Sequence, residues 1–218
     1  MKKIVAVVPI RKGSQRVKNK NFKRFCGKNL LEHKIITLKK VKELDEIIIN
    51  TDSDKAISIA KKYGVKYFRR ENYFASSKCT NSEFWSNVAS KTKSEFILFT
   101  HCTSPMISVK TYEKTIKSFF VNKKNFNSLN TVSDVKEFLF LKKKPINFKL
   151  NKAPNSQNLP DIIKLNFAIS ILKTKFMEKK KTLIGNKPLF YKLDQIEGHD
   201  INTAYEFEFA KYLFKSFR

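Results

Sequence analysis

The sequence predicts an α/β fold in which a mainly parallel, doubly wound sheet carries helices on both faces. Three observations support this prediction. Residues 3–9 form a continuous, valine-rich apolar run, which is typical of a strand buried on both faces. Short apolar runs then alternate with stretches whose apolar residues recur at helical spacing, and such alternation builds right-handed βαβ units. No internal repeat or low-complexity linker divides the 218 residues, so we expect a single domain over 1–218.

The first half of the chain supplies the clearest elements. After the first strand, apolar residues at helical spacing predict a helix over residues 30–38, and the run EIIIN predicts a strand over 45–50. The alternation then repeats, with a helix over 53–63 that ends at Gly64, a strand over 65–68, a helix over 80–91 and a strand over 95–100. The pair Phe84 and Trp85 has a spacing suited to a helix core.

The second half is less regular. We predict a helix over 111–120 and a strand over 129–132, after which the basic, Pro- and Asn-containing stretch 137–159 departs from the alternation. This stretch is interpreted as an excursion from the sheet that serves as a dimerisation lobe. A long strand over 161–172, a short strand over 190–193 and a final helix over 203–217 complete the prediction, and Phe207, Phe209 and Phe214 are assigned to the core of that helix.

Composition narrows the class of protein. A formal charge of +26 would suit nucleic acid, but lysine is spread along nearly the whole chain together with many Asn, Ile and Phe residues, so nucleic acid is not expected as the partner. No apolar run reaches the roughly 18 to 20 residues of a membrane span. The three cysteines, Cys26, Cys79 and Cys102, are widely spaced and predict neither disulfides nor a zinc site, and we therefore expect a reducing cytoplasm. Cys102 is expected to be a small packed residue.

The segment after the first strand carries the strongest chemical signal, because ligands of open α/β sheets bind beyond the carboxyl ends of the strands. It reads RKGSQRVKNKN over residues 11–21. Gly13 lets phosphate approach the backbone N–H groups, Ser14 adds a hydroxyl donor, and Arg11, Arg16 and Lys20 add positive charge. The segment therefore predicts a triphosphate cradle, although it matches neither a Walker loop nor a dinucleotide fingerprint.

This segment resembles the signature loop of the acylneuraminate cytidylyltransferases. Six further pieces follow in that family's order, and the resemblance covers essentially the whole chain; the pieces are INTDSD at 49–54, RENYFA at 70–75, TSP at 103–105, QNLP at 157–160, NFAISI at 166–171 and HDINTAYEF at 199–207. The resemblance implies a fold of the nucleotide-diphospho-sugar transferase type. It also implies transfer of CMP from CTP to the anomeric hydroxyl of a nonulosonic (sialic-like) acid, with release of pyrophosphate, for surface glycan synthesis.

The resemblance also implies site residues. The nucleotide would contact Arg11, Gly13, Ser14, Arg16, Lys20, Asn21, Arg70 and Ser82, and the acidic sugar would contact His101, Thr103, Ser104 and Gln157. The catalytic residues would be Arg11, Lys20 and Asp200, and the cofactor Mg²⁺ would bind Asp200 and Asn202. A homodimer is implied as well. For Asp200, the alternative is a cap of the final helix, and for Asp52, a cap of the second helix is preferred to a catalytic role.

Departures from the family pattern leave alternatives open. Asn202 stands where the family's second metal carboxylate is usual, so a catalytically weakened nucleotide-binding homologue is one alternative. His101 and Cys102 replace a usual Gln-Pro pair, and Ile107 replaces a usual arginine, which bears on sugar recognition. Activation of the eight-carbon acid KDO is the nearest enzymatic alternative, although its family tends to have Lys-Pro at Lys20-Asn21. Enzymes of sugar 1-phosphates rank next and an RNA-binding module last.

Overall fold

The computed structural model describes residues 2–13 and 16–217, with the side chain of Lys2 not included. A seven-stranded sheet forms its centre, and its strands are β1 Lys2–Ile10, β2 Glu46–Thr51, β3 Lys66–Arg69, β4 Ser94–Phe99, β5 Ser128–Val135, β8 Ile162–Lys173 and β9 Pro188–Lys192. Their order across the sheet is β3-β2-β1-β4-β8-β5-β9. Only β8 runs antiparallel to its neighbours among these described strands, which confirms a mainly parallel sheet.

The helices are α1 Leu30–Leu38, α2 Asp54–Lys62, α3 Asn72–Ala75, α4 Asn81–Lys91, α5 Val109–Asn122, α6 Thr174–Lys180 and α7 Ala204–Phe217. They cover both faces of the sheet. Successive residues of β1 point to opposite faces, so the buried cluster that each residue joins identifies the helices on that face. Ile4, Ala6 and Val8 belong to one buried cluster, and Val5 and Val7 belong to another. The first cluster includes apolar residues of α1, α2, α5 and α7, and the second includes those of α4 and α6. The doubly wound architecture is therefore confirmed.

Most predicted elements agree with the structure to within a few residues, and the largest omission is α6. Its sequence TKFMEKK offers only Phe176 and Met177 as apolar positions, too few for a periodic signal. Tertiary packing supplies what the pattern lacks, because Met177 is buried in the cluster that also contains Val88 and Ala89 of α4. The intrinsic helix propensity of such a short basic stretch predicts its structure only weakly, and tertiary packing overrides it.

The excursion at residues 137–159 contains a small hairpin, β6 Phe140–Leu141 with β7 Lys144–Pro145. Lys142 and Lys143 at its turn both have positive φ, as the residues of a tight two-residue hairpin turn require. Phe138 and Phe140 each pack edge-on against Phe148, so the excursion has a small aromatic cluster of its own. Local contacts therefore order the hairpin and the aromatic cluster of this segment.

Candidate active site

A cleft lies where β1, β2 and β4 end, at the carboxyl edge predicted to hold the ligand. It contains two adjoining cavities of about 300 and 320 Å³. We call the first the arginine cavity, after Arg11 and Arg70, and the second the aspartate cavity, after Asp200. Both cavities share one wall, which consists of Lys20, Asn81, Phe84, His101 and Thr103. A third cavity of about 280 Å³, between Phe96 and Lys173, is separate from this cleft.

Arg70 is the most strongly fixed cation of the arginine cavity. It directly follows β3, and only 6% of its surface is exposed. Its Nε donates to Asn50 Oδ1 over 2.7 Å, its Nη2 donates to the Asn50 carbonyl over 2.8 Å, and its guanidinium lies 4.3 Å from the centre of the Phe84 ring. Burial lowers the pKa of Arg70 to about 10, so it remains charged at neutral pH. The guanidinium that lines the arginine cavity is thus held in place by Asn50 and Phe84.

The loop after β1 brings further predicted residues to the same cavity. Arg11 and Asn21 line it, and Asn21 Oδ1 is a buried oxygen without a hydrogen-bond partner in the described part of the chain. A buried unpaired acceptor is costly unless a ligand donor pairs with it. Gly13 has φ 75°, a left-handed conformation that favours glycine. Ser14, which we predicted to bind phosphate, lies outside the described residues.

Asp52 supports this loop and does not have the predicted capping role. Its Oδ1 accepts a hydrogen bond from the Lys12 backbone N–H over 2.8 Å. The residue that caps α2 is Ser53, whose side chain accepts from the Ala56 N–H. The prediction of an Asp52 cap was therefore wrong by one position, because the chain leaves β2 later than the sequence pattern suggested.

The aspartate cavity contains a chain of polar contacts between two loops. Asp200 Oδ2 accepts from Asn202 Nδ2 over 2.8 Å, and Asn202 Oδ1 accepts from Arg16 Nη2 over 2.9 Å. Lys20 Nζ donates to the carbonyl of Ile201, between those two residues. Burial lowers the pKa of Lys20, whereas nearby Asp200 raises it. Four residues predicted to be catalytic or ligand-binding are thus brought together at one point.

Asp200 is free to face the cavity because Thr203 caps the final helix. The Thr203 hydroxyl accepts from the Glu206 N–H over 3.2 Å, and Glu206 Oε2 accepts from the Thr203 N–H over 2.6 Å. These reciprocal bonds form a capping box. The alternative role of Asp200 as the helix cap is therefore wrong.

His101 and Thr103 lie on the shared wall, at the end of β4. The Thr103 carbonyl accepts from the Ile201 N–H over 2.9 Å, which joins this loop to the Asp200 loop. Burial holds the pKa of His101 well below its usual value, so its imidazole is neutral at pH 7 and can accept a hydrogen bond. Burial also raises the pKa of the Cys102 thiol to about 12, which confirms Cys102 as a packed, unreactive residue.

Three aromatic side chains line the aspartate cavity opposite its charges. They are Phe84, Trp85 and Phe167. We predicted that Phe84 and Trp85 would serve only as helix core; both pack against the core cluster of this face, but both also border the cavity. On α7, Phe207 is buried as predicted, whereas Phe209 is 40% exposed, so its assignment to the core was wrong.

Phe167 adopts an unusual backbone conformation, with φ 53°. It lies where the β5–β8 pairing shifts register, between Asn130 and Val132. The adjacent Asn166 side chain holds the bulge, because its Oδ1 accepts from Thr131 Oγ1 over 2.6 Å and from the Ala168 N–H over 3.2 Å. A left-handed bulky residue costs on the order of 1–3 kcal/mol and tends to occur at functional sites. The bulge therefore aims an aromatic ring into the cavity.

Four of the described residues that we predicted as contacts do not line either cavity, and Gly13, in the loop after β1, is one of them. Ser82 is exposed on α4, and its neighbour Asn81 occupies the shared wall. Ser104 is buried behind the wall, where its carbonyl accepts from Lys34 Nζ. Gln157 is exposed in a short 3₁₀ turn of the excursion. Asn81 and Phe167 were missed because helix phase and a strand bulge decide their direction, although Phe167 belongs to the matched piece NFAISI and Asn81 adjoins Ser82.

The described lining of the cleft offers a divalent cation a single carboxylate, that of Asp200. No group of three or more His, Cys, Asp or Glu side chains suited to a metal occurs within residues 2–13 and 16–217. Asp200 Oδ1, however, has no hydrogen-bond partner within that part of the chain, and Mg²⁺ commonly binds one or two carboxylates together with substrate phosphates. A single carboxylate beside a phosphate-binding cavity fits that pattern.

Comparisons with known proteins identify the family of this chain. Residues 5–199 match the model of the cytidylyltransferase family. The chain is 24% identical to the post-translational flagellin modification protein B of Campylobacter coli, over 99% of this chain and 96% of that protein. It is 26% identical to the N-acylneuraminate cytidylyltransferase of Escherichia coli, over 95% of this chain but only 51% of that enzyme, so it spans about half of that relative.

Solved structures show the same fold. A CMP:2-keto-3-deoxy-manno-octonic acid synthetase in complex with CTP has a TM-score of 0.72 at 14% identity, covering 98% of this chain and 99% of that one. The 4-diphosphocytidyl-2C-methyl-D-erythritol synthase of Anaerococcus prevotii has a TM-score of 0.71 at 17% identity, covering 98% and 96%. At such identities the likeness concerns the fold alone.

The doubly wound sheet and its cationic two-cavity cleft define a nucleotidyltransferase. The chain belongs to the cytidylyltransferase family, to which the resemblance of its signature loop already pointed.

Proposed function

We propose that this enzyme transfers CMP from CTP to the anomeric hydroxyl of a nonulosonic acid and releases pyrophosphate. The observation that carries the proposal is the division of the cleft into two cavities with a shared wall. A reaction that joins two anionic substrates needs a compartment for each and a common boundary where they react. The shared wall, with Lys20 and His101, is where we expect the α-phosphorus and the sugar hydroxyl to meet.

The arginine cavity suits the nucleotide. Arg11, Lys20 and Arg70 supply three cations for phosphates, and Asn21 Oδ1 is an acceptor suited to an amino or hydroxyl donor of the nucleoside. The aromatic faces of Phe74 and Phe84 in the same cavity can pack against a base. Of the predicted nucleotide contacts, this cavity is lined by Arg11, Lys20, Asn21 and Arg70, whereas Arg16 lines the aspartate cavity.

The aspartate cavity suits an acidic sugar that carries N-acyl groups. Arg16 and Lys20 can bind a carboxylate, and the wall of Phe84, Trp85 and Phe167 offers apolar surface for acyl methyl groups. KDO carries only hydroxyl groups beyond its carboxylate and would leave this aromatic wall without an apolar partner. Relatives named N-acylneuraminate, pseudaminic acid and N,N'-diacetyllegionaminic acid enzymes support the same substrate class.

The reaction that we propose is an in-line displacement at the α-phosphorus. The sugar oxygen forms a bond to phosphorus, the bond to pyrophosphate breaks, and the hydroxyl proton passes to solvent, while the neutral His101 on the shared wall can accept a hydrogen bond from that hydroxyl. Arg11 and Lys20 would offset the charge that develops on the phosphate oxygens. Mg²⁺ bound at Asp200, with Asn202 beside it, would contribute further neutralisation of the leaving pyrophosphate.

We further propose a cytoplasmic homodimer. The excursion exposes apolar side chains that a monomer would leave in water, because Phe140, Leu141, Ile146 and Leu150 are 55%, 63%, 56% and 72% exposed. None of the helices in the described ranges is long and apolar enough to cross a bilayer. CTP and the acidic sugar are the expected partners.

Pyrophosphate release tests the activity. Purified protein would be mixed with Mg²⁺, CTP and a panel of nonulosonic acids and KDO, with ATP, GTP and UTP in place of CTP as controls. We expect release only with CTP and an N-acylated nonulosonic acid. Lys20→Met should abolish this release, whereas Lys42→Met, an exposed lysine outside the cleft, should not.

Two other results would contradict the proposal. Release with KDO and not with N-acylated acids would assign the alternative substrate. No release with any pair, while CTP still raised the melting temperature, would indicate the catalytically weakened homologue suggested by Asn202.

A further inference from the structure

Asn202 is held between a carboxylate and a guanidinium by both ends of its amide group. Its Nδ2 donates to Asp200 Oδ2 over 2.8 Å, and its Oδ1 accepts from Arg16 Nη2 over 2.9 Å. Its backbone N–H donates to Glu206 Oε2 over 2.8 Å, which fixes the residue to the start of α7. The amide nitrogen of Asn202 therefore occupies Oδ2 of Asp200, and the amide oxygen links that carboxylate to the Arg16 guanidinium.

The charges around Asp200 disfavour a free dication. Arg16 and Lys20 both border the aspartate cavity, and the Lys20 ammonium bonds the carbonyl of Ile201, next to Asp200. Among the described residues that line that cavity, Asp200 alone carries a carboxylate. A free divalent ion would thus meet one partly occupied carboxylate and the positive charges of Arg16 and Lys20. The nearby Glu206 carboxylate is already engaged through its Oε2 by the N–H groups of Asn202 and Thr203, so repulsion from the two cations would offset the attraction to Asp200.

A triphosphate changes this balance. Its negative charges would be paired by Lys20 on the shared wall and by the arginines of the other cavity, and its oxygens would supply most ligands of the ion. The ion would then need from the protein only the open Asp200 Oδ1. We propose that the Arg16–Asn202–Asp200 bridge makes this site accept a divalent cation only together with nucleotide phosphates and exclude the free ion.

This inference rests on the proposed function for the identity of the nucleotide. The effect is reciprocal. If the nucleotide raises the affinity of the protein for the cation, the cation raises the affinity of the protein for the nucleotide by the same factor. The protein without nucleotide would remain free of bound metal. The neutral amide at position 202 would thus set the order of binding, with the metal and the nucleotide entering as one complex.

Binding of Mn²⁺ to the nucleotide-free protein tests the inference without any reaction. The electron paramagnetic resonance signal of aqueous Mn²⁺ reports the free ion during a titration. We expect the unmodified protein to bind Mn²⁺ with a Kd above about 1 mM. Asn202→Asp replaces the amide donor by a second carboxylate, and we expect it to lower that Kd at least about tenfold. Addition of the unreactive analogue α,β-methylene CTP should make the unmodified protein retain Mn²⁺ beyond what the analogue binds alone.

Asn81→Asp is the matched control. Asn81 lines both cavities but takes no part in the bridge, so the change adds the same charge to the same cleft. Arg16→Gln is a second, independent variant that keeps Asn202 and removes one cation, and it should also tighten Mn²⁺ binding. Circular dichroism would establish that each variant is folded.

The inference is overturned if the unmodified protein binds free Mn²⁺ with a Kd below about 0.1 mM, or if Asn202→Asp binds it no tighter than Asn81→Asp. Failure of the proposed function has a different signature, the absence of CTP-dependent pyrophosphate release. The two failures are distinguishable, because the Mn²⁺ titration of the nucleotide-free protein needs no catalysis.

Discussion

Arg69 and Arg70 are neighbours in the chain with opposite surroundings. Arg69 leaves 60% of its side chain in solvent and pairs with Asp54, whereas Arg70 is buried against Asn50 and Phe84 at the cleft. Only the second is placed to touch a ligand. This pair offers a direct test of the nucleotide cavity, because both substitutions remove one positive charge from the same short segment.

Arg70→Met should weaken CTP binding by about 10- to 100-fold, since a hydrogen bond to a charged group contributes roughly 1.5–3 kcal/mol. Isothermal titration calorimetry with CTP measures the change. Arg69→Met serves as the control and should alter the Kd by less than about twofold, because exposed ion pairs contribute little. Equal losses in both variants would show that general charge, and not the fixed guanidinium, attracts the nucleotide.

At the scale of one element, α1 depends on a capping box at its start. Asn29 Oδ1 accepts from the Glu32 N–H over 2.9 Å, and Glu32 Oε2 accepts from the Asn29 N–H over 3.1 Å. Burial by itself would raise the pKa of Glu32, but hydrogen bonds from Asn29, Lys62 and Tyr63 outweigh it and hold the pKa below its usual value. A carboxyl with a depressed pKa stabilises the fold when ionised.

Glu32→Gln should therefore lower the free energy of unfolding by about 0.5–2 kcal/mol at pH 7. The stabilisation is present above the unfolded-state pKa of about 4.3 and is lost as pH falls through the lower folded-state value. Urea unfolding of both proteins at several pH values measures this. The gap between them should close below about pH 4, and a gap that stayed constant with pH would assign the effect to shape and not to ionisation.

The bulge of β8 makes a second prediction at this scale. Phe167→Asn places a residue that tolerates positive φ at the strained position and removes one aromatic ring from the aspartate cavity. Relief of strain should offset part of the lost packing, so the melting temperature should change little, while KM for the acidic sugar rises about tenfold or more. Steady-state kinetics and thermal unfolding separate these effects.

Phe209→Asn is the matched control for that experiment. Phe209 is an exposed aromatic on α7 that does not line the cleft, so its loss should leave KM for the sugar unchanged. A rise in KM for CTP and not for the sugar in Phe167→Asn would contradict the assignment of the aspartate cavity.

At the scale of the whole molecule, the excursion predicts the oligomeric state. Leu141→Asp in the β6–β7 hairpin should convert a dimer to a monomer, because it places a charge in the middle of an apolar contact. Analytical ultracentrifugation measures the mass. Val121→Asp changes an equally exposed apolar residue on α5 and should leave the mass unchanged. A monomeric unmodified protein would refute the dimer.

The predictability of the fold and of the site also differs with scale. Hydrophobic periodicity reveals the βαβ alternation, so the mainly parallel sheet and its ligand-binding carboxyl edge follow from local pattern. The side chains that complete the cleft depend on geometry that periodicity does not specify. Asn81 faces the cavity and Ser82 does not because of helix phase, and Phe167 reaches it because β8 bulges.

The sequence by itself determined the doubly wound class, the basic loop after β1 and the family, because buried strands, turn glycines and ordered motifs are local features. Only the tertiary structure decided which side of each loop faces the cleft. It brought Arg16 to Asn202 across 186 positions of the chain, turned Asp200 from the helix cap to the cavity, and assigned Ser104 to the interior. Such contacts arise from packing between elements distant in sequence, which no local pattern encodes.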